Sequence, residues 1–286
     1  MFLCLPYTWV ERAIGAAILI TAALSQPCDA AATDRRLTQI SDPNRHCTRF
    51  CSERRYERAH AVSNPEGTVG GEGPEADTLA EARALNNRAL QYQNQGRLAE
   101  AEPLLQQSLA ILRKLVGPDH PAVGASLSNL AFIYQSEGRL SDAEEMYKRS
   151  VQILERAHGS HELAIALDFN NLAMLYVKEG RNGEAETLFK RSLPMFETVL
   201  GPEHPVSAAS RFNLALLYDK LDRFAEAEAL YQQNLLILEQ TPNFDGSAIV
   251  KILADLEKLY RKHGRTAEAN ALSARIHSVK EKTNGP

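Results

Sequence analysis

A segment of about 24 residues recurs five times along this chain, and successive copies are always 42 residues apart. The clearest copy is NNLAMLYVKEGRNGEAETLFKRSL, which begins at Asn170. One arginine in each copy marks the spacing, at Arg97, Arg139, Arg181, Arg223 and Arg265. A period of this length is typical of arrays of small stacked units, in which each unit contacts only its neighbours. The repeat therefore predicts a solenoid rather than one core built from unrelated elements.

Each copy has the apolar pattern of two amphipathic helices separated by a short turn. In the copy that begins at Asn170, apolar residues recur every three or four positions on both sides of Gly180, as in helices that bury one face. A glycine that can adopt the left-handed conformation ends the first helix in four copies, and Asp222 replaces it in another. Pro194 interrupts a second helix, where we expect a kink.

Small and aromatic residues hold fixed places within these helix pairs. One alanine is at positions 89, 131, 173 and 215, a tyrosine at 92, 134, 176, 218 and 260, and a second alanine at 101, 143, 185, 227 and 269. This pattern resembles the tetratricopeptide repeat, whose usual period is about 34 residues. The longer period, together with a Gly-Pro-Asp/Glu-His-Pro connector at 117–121 and 201–205, is similar to the kinesin light chain subfamily.

The resemblance covers residues 77–280 and implies an all-α fold, a right-handed superhelical α-solenoid of about five helix-turn-helix repeats. A short tail at 281–286 follows it. The first and last copies carry polar residues at pattern positions (Arg88, Glu257 and Ser273), as expected for terminal repeats with one solvated face. The predicted repeats lie near 85–126, 127–168, 169–210, 211–252 and 253–280.

The two connectors can be explained by helix-end chemistry alone. Asp119 is predicted to cap the helix that follows the first connector, and Pro121 suits the first turn of that helix because its missing N–H costs nothing there. His120 and His204 are two repeats apart, too far to share a metal ion. We therefore interpret both as structural residues.

The first 76 residues lack the repeat. Ala13–Leu24 is an apolar run with the length of a signal-peptide core and is too short to span a bilayer. Residues 1–32 are interpreted as a signal peptide or another N-terminal apolar segment, which favours export to the periplasm or the exterior with no stable membrane span after cleavage. A cytoplasmic protein with a misassigned start and a membrane-tethered protein are the alternatives. Residues 33–76 are polar and predict a flexible linker.

Two of the four cysteines, Cys47 and Cys51, lie in this linker, and none lies in the repeats. In an exported protein an even pair suggests a disulfide, which requires the segment to form a turn because residues four apart on a helix are too distant to bridge. Free thiols are the main alternative. Metal binding with His46 and His60 matches no known zinc spacing, so no metal is predicted.

The tetratricopeptide resemblance implies that the first helix of each pair lines a concave groove that binds an extended peptide. An asparagine row there either pairs with a peptide backbone or bridges neighbouring repeats, and the sequence leaves both open. Beside it we expect an apolar row and a basic C-terminal end, which predict a peptide with an apolar centre and an acidic end; a solvated cap is the alternative for the basic end. The candidate groove residues are Asn87, Asn129, Asn171, Asn213, Leu90, Phe132, Met174, Leu216, Lys178, Lys220, Lys258, Arg261 and Lys262.

The sequence holds no catalytic or phosphate-binding motif, so we predict no enzyme activity and no cofactor. Recurring carboxylates such as Glu102 and Glu186 are interpreted as solvated outer faces. A net charge of -4 does not favour nucleic acid as a partner. The predicted function is a protein-interaction scaffold with a protein or peptide partner. A cytosolic adaptor or peptide-responsive regulator and a self-assembling structural protein are the alternatives, and the sequence specifies neither the partner nor the oligomeric state.

Overall fold

The computed structural model describes residues 74–241 and 246–283, with side chains from 78 to 241 and from 246 to 281. In these ranges the chain forms ten α-helices and no β-strand. The predicted signal segment, Cys47 and Cys51 lie outside the described residues. The helices are α1 (Pro74–Asn94), α2 (Leu98–Val116), α3 (Pro121–Ser136), α4 (Leu140–Arg156), α5 (Glu162–Glu179), α6 (Asn182–Leu200), α7 (Pro205–Lys220), α8 (Phe224–Gln240), α9 (Gly246–Lys262) and α10 (Thr266–Thr283).

The helices form five consecutive pairs, and each pair packs on the next. Each odd-numbered helix packs mainly against the helix that follows it, and each even-numbered helix also contacts the first helix of the next pair. The backbones of some neighbouring first helices come close, α3 with α5 and α5 with α7, whereas the backbones of the described second helices do not approach one another to the same degree. The first helices therefore form the inner layer of the array. The all-α solenoid that the repeat predicts is confirmed.

The turn within each pair is closed by backbone geometry that glycine favours. Gly180 follows α5 with a φ of +79°, in the left-handed region. The N–H of the next residue, Arg181, donates to the carbonyl oxygen of Tyr176 at 2.9 Å, and the same bond at the same length recurs in all five pairs. Asp222 adopts a φ of +60° at the equivalent place, so it bears the strain that glycine avoids.

The core of each pair is built where two small residues let the helices approach. Ala173 on α5 and Ala185 on α6 are both completely buried, and the Phe189 ring fills the space beside them without exposure. In the last pair the positions of Ala173 and Phe189 are polar, while Ala269 keeps the buried alanine, and Glu257 accepts a hydrogen bond from Ser273 at 2.7 Å. The two departures from the pattern thus satisfy each other, which agrees with the predicted polar terminal repeat.

One helix cap differs from the sequence-based expectation. The N-cap of α3 is His120 rather than Asp119, because the His120 Nδ1 accepts a hydrogen bond from the Ala122 N–H at 3.1 Å. Asp119 instead forms an ion pair with Arg149. Pro194 lies inside α6, and that helix continues to Leu200, so the kink expected at Pro194 stays a prediction.

The ends of the array also extend beyond the predicted limits. Helix α1 begins at Pro74, three residues before the predicted start of the solenoid at 77, and α10 runs to Thr283, past the predicted end at 280. No described helix is long and apolar enough to cross a membrane.

Candidate functional site on the inner helices

The predicted apolar row runs along the inner helices but is not equally accessible throughout. Leu90 on α1 is only 2% exposed and belongs to the core. Phe132 on α3 and Met174 on α5 are half-buried, and Leu216 on α7 is 37% exposed. Lys258 takes the equivalent position on α9 and is exposed. The accessible part of this row therefore consists of one apolar side chain on each of the three middle inner helices, α3, α5 and α7.

The asparagine row lies deeper, at the junctions between the first helices. The Asn129 amide donates to the Asn86 side-chain oxygen of the preceding repeat at 3.0 Å. At this position the asparagine therefore bridges neighbouring repeats, which is one of the two roles considered for the row. Asn171 and Asn213 are only 7% and 3% exposed, so they offer little surface to a peptide, whereas Asn87 is half-buried. Neither side-chain polar atom of Asn213 has a hydrogen-bond partner in the described part of the chain.

The lysines at the ends of the inner helices bind the preceding repeat. The Lys220 ammonium donates to the Val177 carbonyl oxygen at 2.8 Å. One repeat later, Lys262 donates to the Asp219 carbonyl oxygen at 3.0 Å and pairs with its carboxylate. Cations are favourable at helix C-termini because the last carbonyls carry partial negative charge. Lys178, at the equivalent position on α5, is exposed.

Carboxylates compensate the basic C-terminal end. Lys258 forms an ion pair with Asp255 at 2.7 Å, and Arg261 pairs with Glu257 at 2.8 Å. Lys262 also contacts the Asp222 carboxylate at 3.0 Å. An acidic ligand at this end would therefore have to compete with carboxylates of the chain itself.

Sequence reasoning missed a contact that links every repeat to the one before it. The Arg181 guanidinium donates to Glu144 of the preceding pair at 2.9 Å and lies over the Tyr176 ring, with its central carbon 3.8 Å from the ring centroid. The Tyr176 hydroxyl donates to the same carboxylate at 2.8 Å. Equivalent arginine–glutamate pairs join Arg139 with Glu102, Arg223 with Glu186 and Arg265 with Glu228.

These glutamates are half-buried at the repeat junctions, so the interpretation of Glu102 and Glu186 as solvated outer residues is wrong. Burial alone would raise the pKa of Glu144. Hydrogen bonds from Arg181, Lys148 and Tyr176 outweigh the burial and lower its pKa to about 2. The constant offset of 37 residues between glutamate and arginine was the sequence signal for this contact.

One repeat junction contains a buried acid. Asp168 on α5 is completely buried and accepts a hydrogen bond from the Ser128 hydroxyl of α3. Burial raises its pKa to about 7, although the hydroxyls of Ser128 and Ser150 oppose the shift. The buried Tyr147 ring of α4 lies nearby, and burial together with the Asp168 charge raises its pKa. The equivalent positions of the two flanking repeats hold Ser126 and Ser210, so the acid is specific to this junction.

A buried arginine joins three helices further along the array. Arg211 on α7 is fully buried and forms an ion pair with Glu197 of α6 at 2.5 Å. It also donates to the Asn234 oxygen of α8 at 2.9 Å. Because a desolvated guanidinium is costly without partners, these contacts hold α6, α7 and α8 in a fixed arrangement.

The described residues contain no group of three or more His, Cys, Asp or Glu side chains that could hold a metal ion. His120 and His204 cap α3 and α7 through their Nδ1 atoms, which gives both the structural role expected from the connectors. Burial lowers the pKa of each imidazole and so favours the neutral form that can accept a backbone N–H.

Comparison with known proteins places this geometry in a family. The Tetratricopeptide repeat profile matches residues 80–156 and 162–240, more than half of the chain, so the chain belongs to the tetratricopeptide repeat family. One similar crystal structure contains the nearly identical TPR-like repeats of a kinesin light chain from Podosopora anserina. Its sequence is 27% identical to this chain, with a TM-score of 0.63, and the match covers 76% of this chain and all of the other. Within the family, the repeats are therefore of the kinesin light chain-like type.

Two further structures share the fold at lower identity. BtubC from P. vanneervenii is 20% identical, with a TM-score of 0.65 over 98% of this chain and 94% of that one. The apo form of RapI is 16% identical, with a TM-score of 0.62 over 71% and 72%. No curated protein matches the sequence.

Proposed function

We propose that this protein is an interaction scaffold that binds an extended segment of a partner protein along its inner helices. The observation that carries the proposal is the accessible apolar row of Phe132, Met174 and Leu216, with one side chain on each of α3, α5 and α7. Among the other candidate groove residues, Asn171 and Asn213 are largely buried, and Lys220 and Lys262 contact the preceding repeat. A row of separated apolar side chains suits a partner that presents apolar anchors at intervals along an extended chain.

The gross contribution of three apolar anchors is comparable to the free energy of a micromolar complex only at the upper end of its range. Burying one large apolar side chain of the partner contributes about 1.5–3 kcal/mol, so three anchors supply roughly 5–9 kcal/mol before ordering costs. A micromolar complex needs about 8 kcal/mol. The apolar row therefore has to provide most of the affinity, because the asparagines are largely buried.

The test begins with a displayed peptide library selected against the full chain. A selected synthetic peptide is then titrated by fluorescence polarisation against Leu216→Glu and Met174→Glu. We expect each variant to bind at least tenfold more weakly, because a carboxylate in the apolar row cannot be desolvated without cost. The matched control is Leu236→Glu on the outer helix α8, where the side chain is 59% exposed.

Binding that is lost equally in the Leu236→Glu variant, or in none of the three, would contradict groove binding. Melting curves of all variants must show the same folded state before affinities are compared. Concentration-dependent mass of the chain in solution would instead support the self-assembly alternative.

An acidic end on the partner is a separate hypothesis. Its carboxylates would replace Asp255 and Asp219 as the partners of Lys258 and Lys262. Affinity that is unchanged at low salt in the double variant Lys258→Glu/Lys262→Glu would exclude it, because exposed charge pairs are strongest at low ionic strength.

We also propose that the protein acts outside the cytoplasm after export. The support is the apolar run Ala13–Leu24 followed by small residues. N-terminal sequencing of the protein from fractionated cells is the test. A chain that begins near Thr33 in an extracytoplasmic fraction supports export, whereas an uncleaved chain in the cytosol supports an adaptor or a peptide-responsive regulator.

A further inference from the structure

The outer helices carry an ion-pair pattern that joins neighbouring repeats. Arg191 on α6 pairs with Glu155 on α4 at 3.3 Å, and Arg275 on α10 pairs with Glu239 on α8. In both cases the arginine lies 36 residues after the glutamate. At these junctions a cation of one second helix therefore meets an acid of the preceding one.

The junction between the first two repeats departs from this charge pattern. Its equivalent positions are Arg113 on α2 and Arg149 on α4, again 36 residues apart, so two cations lie where those two junctions have a glutamate and an arginine. At the junction of α6 and α8 the equivalent residues are Glu197 and Gln233. Arg149 forms an ion pair with the Asp119 carboxylate of the connector, at 2.5 Å. Among the described residues no carboxylate pairs with Arg113, whereas Glu155 and Glu239 at its equivalent positions each have an arginine partner.

A cavity of about 470 Å³ opens at this junction, and both arginines line it. Leu127 and Met146 provide apolar wall, while the Gln152 amide adds donors. Of the three cations in the lining, Lys148 is paired with Glu144 at 2.7 Å and Arg149 with Asp119, so Arg113 is the one for which the described residues supply no ion-pair partner. Glu145 is the carboxylate of the lining. The volume is within the range of small-molecule sites, which combine apolar walls with a few directed polar groups.

We propose that this outer cavity binds a small anion that carries a phosphate or carboxylate group on an apolar body. Arg113 binds the anionic group, because its guanidinium can donate two parallel hydrogen bonds to a planar pair of oxygens. The apolar body lies against Leu127 and Met146. This site lies mainly on the second helices α2 and α4, with Leu127 of α3 in its lining, and none of its lining residues belongs to the inner row proposed for the partner protein.

The test uses phenyl phosphate and benzoate as probes, phenol as the neutral analogue, and the full chain in calorimetric titrations. In Arg113→Glu the new acid can pair with Arg149 as Glu155 pairs with Arg191, so the variant stays folded and the anion site is removed. Lys114→Glu is the matched control, because it makes the same charge change on an adjacent exposed residue that does not line the cavity.

We expect at least one anionic probe to bind the wild-type chain and Lys114→Glu alike, to bind Arg113→Glu at least tenfold more weakly, and to bind better than phenol. Preference between phenyl phosphate and benzoate identifies the anionic group. The proposal is overturned if neither probe binds below about 10 mM, if phenol binds equally well, or if Lys114→Glu loses as much affinity as Arg113→Glu.

Discussion

The Arg181 guanidinium and the Glu144 carboxylate join the third repeat to the second across 2.9 Å, while the Arg181 backbone N–H closes the turn of its own repeat on Tyr176. One residue thus completes the turn of its own repeat and fixes the stacking of that repeat on the preceding one. The contact is half-buried, and the tyrosine ring beneath the guanidinium shields one of its faces. Because the same arrangement recurs at each junction, the relative orientation of neighbouring repeats is set by the same chemistry throughout the array.

The first prediction is that Arg181 and Glu144 are energetically coupled. Arg181→Ala and Glu144→Gln should each lower the melting temperature by several degrees, and the double variant should lose less than the sum of the two. The control pair is Arg191 and Glu155, which is more exposed and longer at 3.3 Å and should show almost no coupling. Equal coupling in the two pairs, measured by thermal unfolding of all six variants, would show that the half-buried contact is not special.

The second prediction concerns the single residue that replaces glycine in the turns. Asp222→Gly should raise the melting temperature by about 2–4 °C, because it relieves a positive φ that an L-residue adopts at a cost. The ion pair that Asp222 forms with Lys262 is exposed and offsets little of this gain.

Two control variants separate the backbone effect from the charge effect. Asp222→Asn removes the charge but keeps a side chain that tolerates the left-handed region, so its melting temperature should stay close to that of the wild type. Gly180→Asp should reproduce the strain in the third repeat and lower the melting temperature. A gain in Asp222→Asn as large as that in Asp222→Gly would assign the effect to charge.

The sequence predicted the repeated framework because residue type alone is decisive there. Gly180 is needed for its backbone conformation, and Ala173 and Ala185 are needed for the close approach of the two helices. The same residue types therefore recur at these positions in most copies of the 42-residue repeat. Side chains whose role depends on a partner were harder to interpret. Lys220 has the same charge whether it binds a ligand or the Val177 carbonyl, and only the three-dimensional arrangement distinguishes the two.

The asparagine row shows the same limit in another form. Successive residues on a helix are separated by about 100°, so residues three apart lie nearly one turn apart on almost the same face. Each asparagine is three residues before an apolar residue of the row, and it falls at the border between the inner surface and the repeat junction. Asn213 is buried at that edge, whereas Leu216 three residues later is exposed. The periodicity of a sequence shows on which face of a helix a residue lies. It does not show whether a residue at the border of that face is exposed or buried.

The third prediction is that Asp168 makes the stability of the array depend on pH. Burial raises its pKa from 3.8 to about 7, so the folded chain retains a proton that the unfolded chain releases between pH of about 4 and 7. The free energy of unfolding contributed by Asp168 therefore falls as the pH rises through this window. The cost of the ionised acid at higher pH is at most about 4 kcal/mol.

Asp168→Asn removes this titration while its side-chain oxygen can still accept the Ser128 hydroxyl. The variant should resemble the wild type near pH 4 and exceed it in stability near pH 8, as measured by urea unfolding at both pH values. A stability difference between Asp168→Asn and the wild type that is independent of pH would contradict the prediction.

The fourth prediction concerns the cap that His204 provides to α7, and its pH dependence has the opposite sign. The His204 Nδ1 accepts the Val206 N–H at 3.2 Å, which only an unprotonated nitrogen can do. Burial lowers the pKa of His204 below its usual 6.5, so the unfolded chain takes up a proton before the folded chain does. The contribution of this cap is therefore complete above a pH of about 6.5 and decreases as the pH falls.

His204→Asn keeps a side-chain acceptor at the cap but does not titrate, whereas His204→Ala removes the cap and should cost about 1 kcal/mol at pH 8. Urea unfolding at pH 8 and pH 5 should show His204→Asn close to the wild type at the higher pH and more stable than it at the lower pH. His158→Asn, at an exposed position between α4 and α5, is the control for loss of a histidine alone. If His204→Asn and the wild type lose stability equally on acidification, the imidazole is not the group whose protonation weakens α7. If His204→Ala is as stable as the wild type at pH 8, the hydrogen bond to Val206 does not stabilise the helix.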